Sequence, residues 1–223
     1  MDQSERWLPF AGMEMPAVAL FAAAGGAAAV DWFAVGRGWR RAEYFFKPAT
    51  LVLLVLAAAL VETSEGGRQG WFVVALVLSL VGDVFLMLPD DAFVSGLVAF
   101  LGAHVAYVVG FHVGGAGGLD LVIAVVVVGF VALQVGGRVL DGVRRRSRSL
   151  TRPVGIYIAV ISAMVASAIG HGNAWATGGA VLFAVSDGVL AWNRFVQPIP
   201  AARVLIMVTY HLGQGALVYS LAA

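Results

Sequence analysis

Apolar residues run along this chain in long, nearly uninterrupted stretches, and polar residues are gathered between them. A bilayer-spanning helix needs ~20 mostly apolar residues. Eight stretches of that kind can be counted: Pro16–Val35, Pro48–Val61, Gly70–Leu88, Ala92–Val113, Leu119–Leu140, Pro153–Ile169, Ala174–Asn193 and Ala201–Leu221. The second is short and reaches span length only with Phe45 and Phe46 or a locally thinned bilayer. The pattern predicts an all-α polytopic membrane protein, a bundle of eight transmembrane helices. The connections are short and glycine-rich, as at Gly114-Gly115-Ala116-Gly117-Gly118, which leaves one integral membrane domain over 1–223.

The second half echoes the first at a shift of 103 to 105 positions. Lys47-Pro48 matches Arg152-Pro153, Gly82-Asp83-Val84-Phe85-Leu86 resembles Ser186-Asp187-Gly188-Val189-Leu190, and Tyr107 falls on Tyr210. Four spans per copy would preserve orientation, so the halves 16–113 and 119–221 read as two parallel repeats.

Composition agrees with the pattern. The chain is 61% hydrophobic and 12% charged, with a mean hydropathy of +0.90. Ordinary soluble domains carry roughly a quarter charged residues, so a soluble globule is excluded. A net charge of +1 gives no nucleic-acid footprint, and the lack of cysteine removes disulfides and thiol chemistry. The basic residues then fix the orientation. With the amino terminus outside, the inner connections hold twelve of them (Arg37, Arg40, Arg41, Lys47, Arg138, Arg144, Arg145, Arg146, Arg148, Arg152, Arg194, Arg203), and the outer side holds Arg6 and Arg68. This positive-inside bias places both termini outside a bacterial or archaeal cell membrane. The Pro89-Asp90-Asp91 connection carries no cation. The first run lacks a basic leader, since Asp2, Glu5 and Glu14 precede it, and is expected to be retained. Trp7, Trp192 and Tyr219 read as interfacial anchors.

Once topology is accounted for, a few polar residues remain where they are expensive. A carboxylate within a span costs about +2.5 to +3.5 kcal/mol on the insertion scale unless it meets a partner or a cavity. Asp83 lies about 7 Å before the inner end of its span and Asp187 about 9 Å, at ~1.5 Å per residue. Both are therefore expected at similar depth in the cytoplasmic leaflet. Around them, His104 and Tyr107 share a face of the fourth span, Tyr210 and Gln214 a face of the eighth, and Tyr157 lies one turn into the sixth. Lys47, Asn193 and Arg194 ring the inner mouth, with Ser186 beside Asp187. Asp31 is expected near a helix end where solvation is easy, and His112, His171 and His211 carry no assigned role.

Two acids facing one cavity permit a division of labour in which one holds a proton and the other remains ionised. No Ser-His-Asp arrangement, phosphate loop or dinucleotide fingerprint is present, and no paired-histidine spacing marks a metal site, so no cofactor is implied. The same acids would also serve a small-solute or proton-coupled transporter, and the cavity alone would serve a lipid-binding scaffold.

Lys47-Pro48, Gly82-Asp83-Val84-Phe85-Leu86-Met87-Leu88-Pro89, Phe93 to His104 and Tyr107, Ser186-Asp187, Asn193-Arg194-Phe195 and Tyr210 to Gln214 together resemble the lysoplasmalogenase family of multispanning membrane proteins, the YhhN-like family. The resemblance covers nearly the whole chain from the second span onward. It implies an eight-helix bundle that hydrolyses the vinyl ether of lysoplasmalogens, releasing a fatty aldehyde and a glycerophospho-ethanolamine or -choline. The partners would be a lysophospholipid substrate and membrane lipids, with no nucleic acid and with homo-oligomerisation left open. The acid pair maps to Asp83 and Asp187. Lys47 and Arg194 suit the phosphate headgroup, and His104, Tyr107, Tyr157, Ser186, Asn193, Tyr210 and Gln214 would shape the substrate site. His211 stands where a second aromatic beside Tyr210 is expected.

Overall fold

The structure, a computed structural model, describes residues 13–63, 65–88, 92–113 and 119–223. Asp2, Glu5, Arg6 and Trp7, the Pro89-Asp90-Asp91 connection and the glycine-rich link at 114–118 lie outside them. The described residues form eight α-helices: α1 (Met15–Arg37), α2 (Arg40–Leu60), α3 (Gly66–Met87), α4 (Phe93–His112), α5 (Leu119–Arg146), α6 (Thr151–His171), α7 (Ala174–Phe195) and α8 (Ala202–Tyr219). No strand occurs among the described residues.

Seven of the helices, α1 to α7, are long and apolar enough to cross a membrane. The expected eighth span forms a helix of sufficient length, but Arg203, Tyr210, His211 and Gln214 dilute its apolar character below that of the others. Most of those polar side chains are turned inward, with Tyr210, His211 and Gln214 all buried. The second span is not short after all. α2 starts at Arg40, so Pro48 sits inside the helix and Phe45 and Phe46 belong to it. α5 likewise continues past Leu140 to Arg146. Asp31 is a further correction: it lies in the body of α1, fully buried, rather than at a solvated end.

Close helix approach explains where the small residues stand. α7 crosses α8 backbone to backbone: a Cβ on Gly179 would sit 2.8 Å from the Gly213 carbonyl oxygen, and one on Gly213 would sit 2.9 Å from that of Gly179. On α1 an alanine stripe, Ala17, Ala24, Ala28 and Ala34, is buried, and the helix lies against α2 and α8. Phe21 reaches Gly215, Trp32 Nε1 donates to the Met207 carbonyl at 3.2 Å, and Gly36 meets Val204, so the α1–α8 seam is closed along its length. α5 is held differently. It leans on α6 through Leu121 against Gly170 and Ile158 against Gly136, and it meets α7 at the basic end, where Gly142 abuts the Phe195 carbonyl. Between those supports much of α5 faces outward, with Val126, Phe130 and Leu133 exposed.

Candidate active site

The ends of α1 to α8 that carry Arg37, Arg40, Arg146 and Arg203 share one side of the bundle, and a cavity of about 660 Å³ enters from it. Asp83 and Asp187 both line this cavity, the first on α3 and the second on α7. A shared cavity is what a cooperating acid pair requires.

Each carboxylate is held by helices remote from it in sequence. Asp83 is buried in the cavity wall, with its side chain 1% exposed; Lys47 Nζ from α2 lies 3.1 Å from its Oδ1, and Tyr210 from α8 donates to its Oδ2 at 2.8 Å. The buried charge is thus paired and its second oxygen satisfied, which is what a desolvated carboxylate needs to persist. Asp187 is 17% exposed. Tyr157 from α6 donates to its Oδ2 at 2.5 Å, and His104 Nε2 from α4 stands 3.5 Å from the same oxygen. The ring of His104 is fixed from its other side, where Nδ1 lies 2.5 Å from the Phe100 carbonyl oxygen. A carbonyl can only accept, so Nδ1 carries a proton and the Nε2 edge of the ring is turned toward Asp187. Among the described residues Asp187 has no Lys or Arg within ion-pair distance.

The other expected residues divide into two groups. Lys47, Tyr157, Ser186 and Tyr210 line the cavity. Ser186 also donates to the Ile206 carbonyl at 3.1 Å, tying α7 to α8. His104, Tyr107 and Gln214 are fully buried behind the lining, where the Tyr107 hydroxyl donates to Gln214 Oε1 at 2.6 Å and braces α4 against α8. Asn193 and Arg194 stand at the basic end but outside the lining. Asn193 Oδ1 accepts from the Ile199 amide at 2.9 Å, holding the α7–α8 connection, and the Arg194 guanidinium stacks 4.1 Å over the Phe93 ring.

Four lining residues at the mouth escaped assignment to the site from sequence: Arg40, Glu43, Tyr44 and Arg203. Arg203 Nη2 contacts both Glu43 carboxylate oxygens, at 2.8 and 2.6 Å, and Arg40 Nη2 donates to the Tyr44 hydroxyl at 2.6 Å. A signal for three of them was present. Arg40, Glu43, Tyr44 and Lys47 follow the i, i+3, i+4, i+7 spacing of one helix face, but the three cations among Arg40, Arg41 and Lys47 read first as a topology determinant. Asp31 is the other surprise. Among the described residues neither of its oxygens has a hydrogen-bond partner, and it lies within electrostatic range of Lys47, Glu43, Asp83 and Arg203. Nearby, His211 Nδ1 accepts from Trp32 Nε1 at 3.1 Å, so this position on α8 anchors α1.

Beyond the carboxylates the cavity turns apolar, between α5, α6 and α7. Charged groups at the mouth, a carboxylate pair below them and an apolar extension are the polarity sequence of a single-chain amphiphile. Among the described residues, no three His, Asp or Glu side chains come together as a metal-binding group.

The sequence profile described as the YhhN family matches residues 42–221. The human protein named lysoplasmalogenase TMEM86B is 38% identical over 167 residues, covering 74% of this chain and 69% of the human protein. The mouse protein of the same name is 34% identical over 169 residues, 75% of this chain and 71% of the relative. A Mycobacterium bovis protein named lysoplasmalogenase is 35% identical over 179 residues, 74% of this chain and 64% of the relative. No solved structure matches the chain.

Proposed function

This chain belongs to the YhhN family, and we propose that it is a membrane-embedded lysoplasmalogenase: an integral multi-pass enzyme that hydrolyses the vinyl ether of a lysoplasmalogen to a fatty aldehyde and a glycerophospho-alcohol. Its relatives carry that name. The observation that carries the reading to chemistry is the pairing of one ion-paired and one cation-free carboxylate on a single cavity.

Vinyl ether cleavage needs a proton delivered to carbon and a negative charge near the cation that results. Asp187, which faces the cavity without a cationic partner, is the general acid. It protonates the vinyl carbon remote from oxygen, and the double-bond electrons form that C–H bond, leaving an oxocarbenium ion. Asp83, kept ionised by Lys47, stabilises the cation and draws a proton from the attacking water. The hemiacetal then collapses: ionised Asp187 takes its hydroxyl proton, Asp83 returns the proton drawn from water to the departing alkoxide oxygen, and the C–O bond breaks to give aldehyde and alcohol with both acids restored. Tyr157 and His104 orient Asp187, and Tyr210 orients Asp83. At the mouth, Arg40 and Arg203 suit the phosphate of the headgroup.

The same reading takes the basic end as cytoplasmic and both termini as outside, in keeping with the positive-inside bias. It also takes the halves as parallel four-helix repeats. In support, Asp83 receives Lys47 from α2 and Tyr210 from α8, while Asp187 receives partners from the corresponding α6 and α4.

The test is to incubate purified protein with lysoplasmenyl-ethanolamine and measure free aldehyde, with Asp83→Asn and Asp187→Asn alongside. Wild type should release aldehyde, and both variants should be severely impaired. Release persisting in both variants sinks the acid-pair mechanism. No release from wild type, with solute uptake into vesicles, favours transport.

A further inference from the structure

The cavity does not end at the carboxylates. It continues along α6 past Tyr157 through Ile161 and Val165 to Ile169, flanked by Val128 and Ala132 of α5. From Tyr157 to Ile169 is a rise of ~18 Å, the length of an extended alkyl chain of roughly fifteen carbons at ~1.2 Å per bond. The wall is apolar except for Ser162, whose hydroxyl is engaged with the Ile158 carbonyl at 2.7 Å. One side of this channel is open. Val127 and Val131 on α5 are 55% and 54% exposed, and Val181 and Val185 on α7 are 41% and 43% exposed, although all four line the cavity.

The opening follows from how α5 is mounted. α5 packs along α6 and touches α7 at Gly142 against Phe195. Toward the other end of the bundle, α5 and α7 flank a gap rather than each other. A gap between two apolar helices in a membrane faces hydrocarbon, so an alkyl chain can pass sideways through it without crossing water.

We infer that the channel between α5, α6 and α7 is the binding site for the substrate's alk-1-enyl chain, that the chain slides in laterally between α5 and α7, and that Ala132 and Val128 set how long a chain fits. This rests on the lysoplasmalogenase reading. The occupant is argued from continuity: the channel begins at Asp187, where the vinyl ether must sit, and the charged mouth lies on the other side of it. A chain anchored at the mouth by its phosphate has one apolar direction in which to extend. Ala132 is one helical turn further from the basic end than Gly136, which packs on Ile158, and Val128 is one turn further again. A large side chain at 132 would therefore shorten the channel more than one at 128. Both residues are only half-buried, so each can be enlarged without rebuilding a packed core.

The experiment measures kcat/KM for lysoplasmenyl-ethanolamines of graded chain length with wild type, Ala132→Phe and Val128→Phe. Ala132→Phe should lower the value for eighteen-carbon chains at least tenfold and leave four-carbon chains within about threefold. Val128→Phe should penalise only the longest chains. Equal losses at every length, or no length dependence in either variant, overturn the inference. A second readout does not need turnover: a lysophospholipid bearing a diazirine at the chain terminus is photolysed on the protein in nanodiscs. Labelling should fall on α5 and α6 between residues 124 and 169, and Ala132→Phe should abolish it. Labelling on α1 or α8, or equal labelling of the channel by a diacyl phospholipid probe, overturns the chain site. Absence of aldehyde from wild type at every length, with the channel labelled as expected, refutes the enzymatic reading and leaves the chain site standing.

Discussion

Asp83 on α3 and Asp187 on α7 are the same residue facing one cavity from two helices that do not touch, and they end in opposite surroundings. Asp83 is enclosed, salt-bridged to Lys47 and hydrogen-bonded by Tyr210. Asp187 looks into the cavity, with Tyr157 and the Nε2 edge of His104 as its neighbours. In a low-dielectric interior this difference decides what each can do. A buried carboxylate beside an ammonium remains an anion, because protonating it would strand the lysine. A carboxyl without a cation, facing an apolar chamber, is the one suited to give up a proton to carbon. Chemical identity thus says little about role, and the company a group keeps says most of it.

The sharpest way to break this comparison is to remove each acid. Asp187→Asn should lower kcat by about 10²–10⁴, the span attributed to a positioned general acid. Because the acid must be protonated, activity in wild type should fall as pH rises through its titration, whereas loss of the Asp83 anion should make activity fall as pH drops. Residual activity in Asp187→Asn should lack the high-pH fall, and in Asp83→Asn the low-pH fall. The reverse pattern exchanges the two roles.

Lys47→Met comes next. It leaves the Asp83 charge buried and unpaired, so the fold should lose about 3–5 kcal/mol, read as a lower unfolding temperature in detergent. The double variant Lys47→Met/Asp83→Asn should recover much of that loss, since no charge is then stranded. Additive losses would mean the pair is not coupled.

The tyrosines offer a finer cut. Each donates one hydrogen bond to a carboxylate, worth ~1.5–3 kcal/mol when the acceptor is charged. Tyr157→Phe should appear mainly in kcat, because Asp187 is the proton donor in the proposed mechanism, and Tyr210→Phe mainly in thermal stability. A larger kcat effect from Tyr210→Phe would count against the assignment. The smallest effect is expected at the mouth, where the Arg203 side chain is 51% exposed. Glu43 is 11% exposed, but its loss leaves the Arg203 cation in contact with solvent, so Glu43→Gln should cost less stability than Lys47→Met, which makes it a control for the buried pair.

Much of this was legible before any fold was known. Uninterrupted apolar runs announced the helices, and the cost of a carboxylate in hydrocarbon singled out Asp83 and Asp187. Boundaries were less legible. Pro48 looked like a helix start, yet α2 begins at Arg40, because a proline within a membrane helix is tolerated when neighbouring helices support the turn. Asp31 misled for a related reason. Its nearness to the end of the apolar run suggested solvent, but the alanine face of α1 is pressed against α2 and α8 and carries it inside.

What the sequence determined by itself is the class of the molecule and the location of its costly residues, because hydropathy and charge act locally and a membrane penalises each misplaced polar group separately. What only the tertiary structure decided is who partners whom: Lys47 with Asp83, His104 and Tyr157 with Asp187, and the gap beside α5. Those depend on how helices remote in sequence approach one another, and that approach is set by packing of small residues such as Gly179 against Gly213 and Gly142 against Phe195. Many glycines read alike along the chain, and only the folded bundle distinguishes the ones that close a seam from the ones that leave it open.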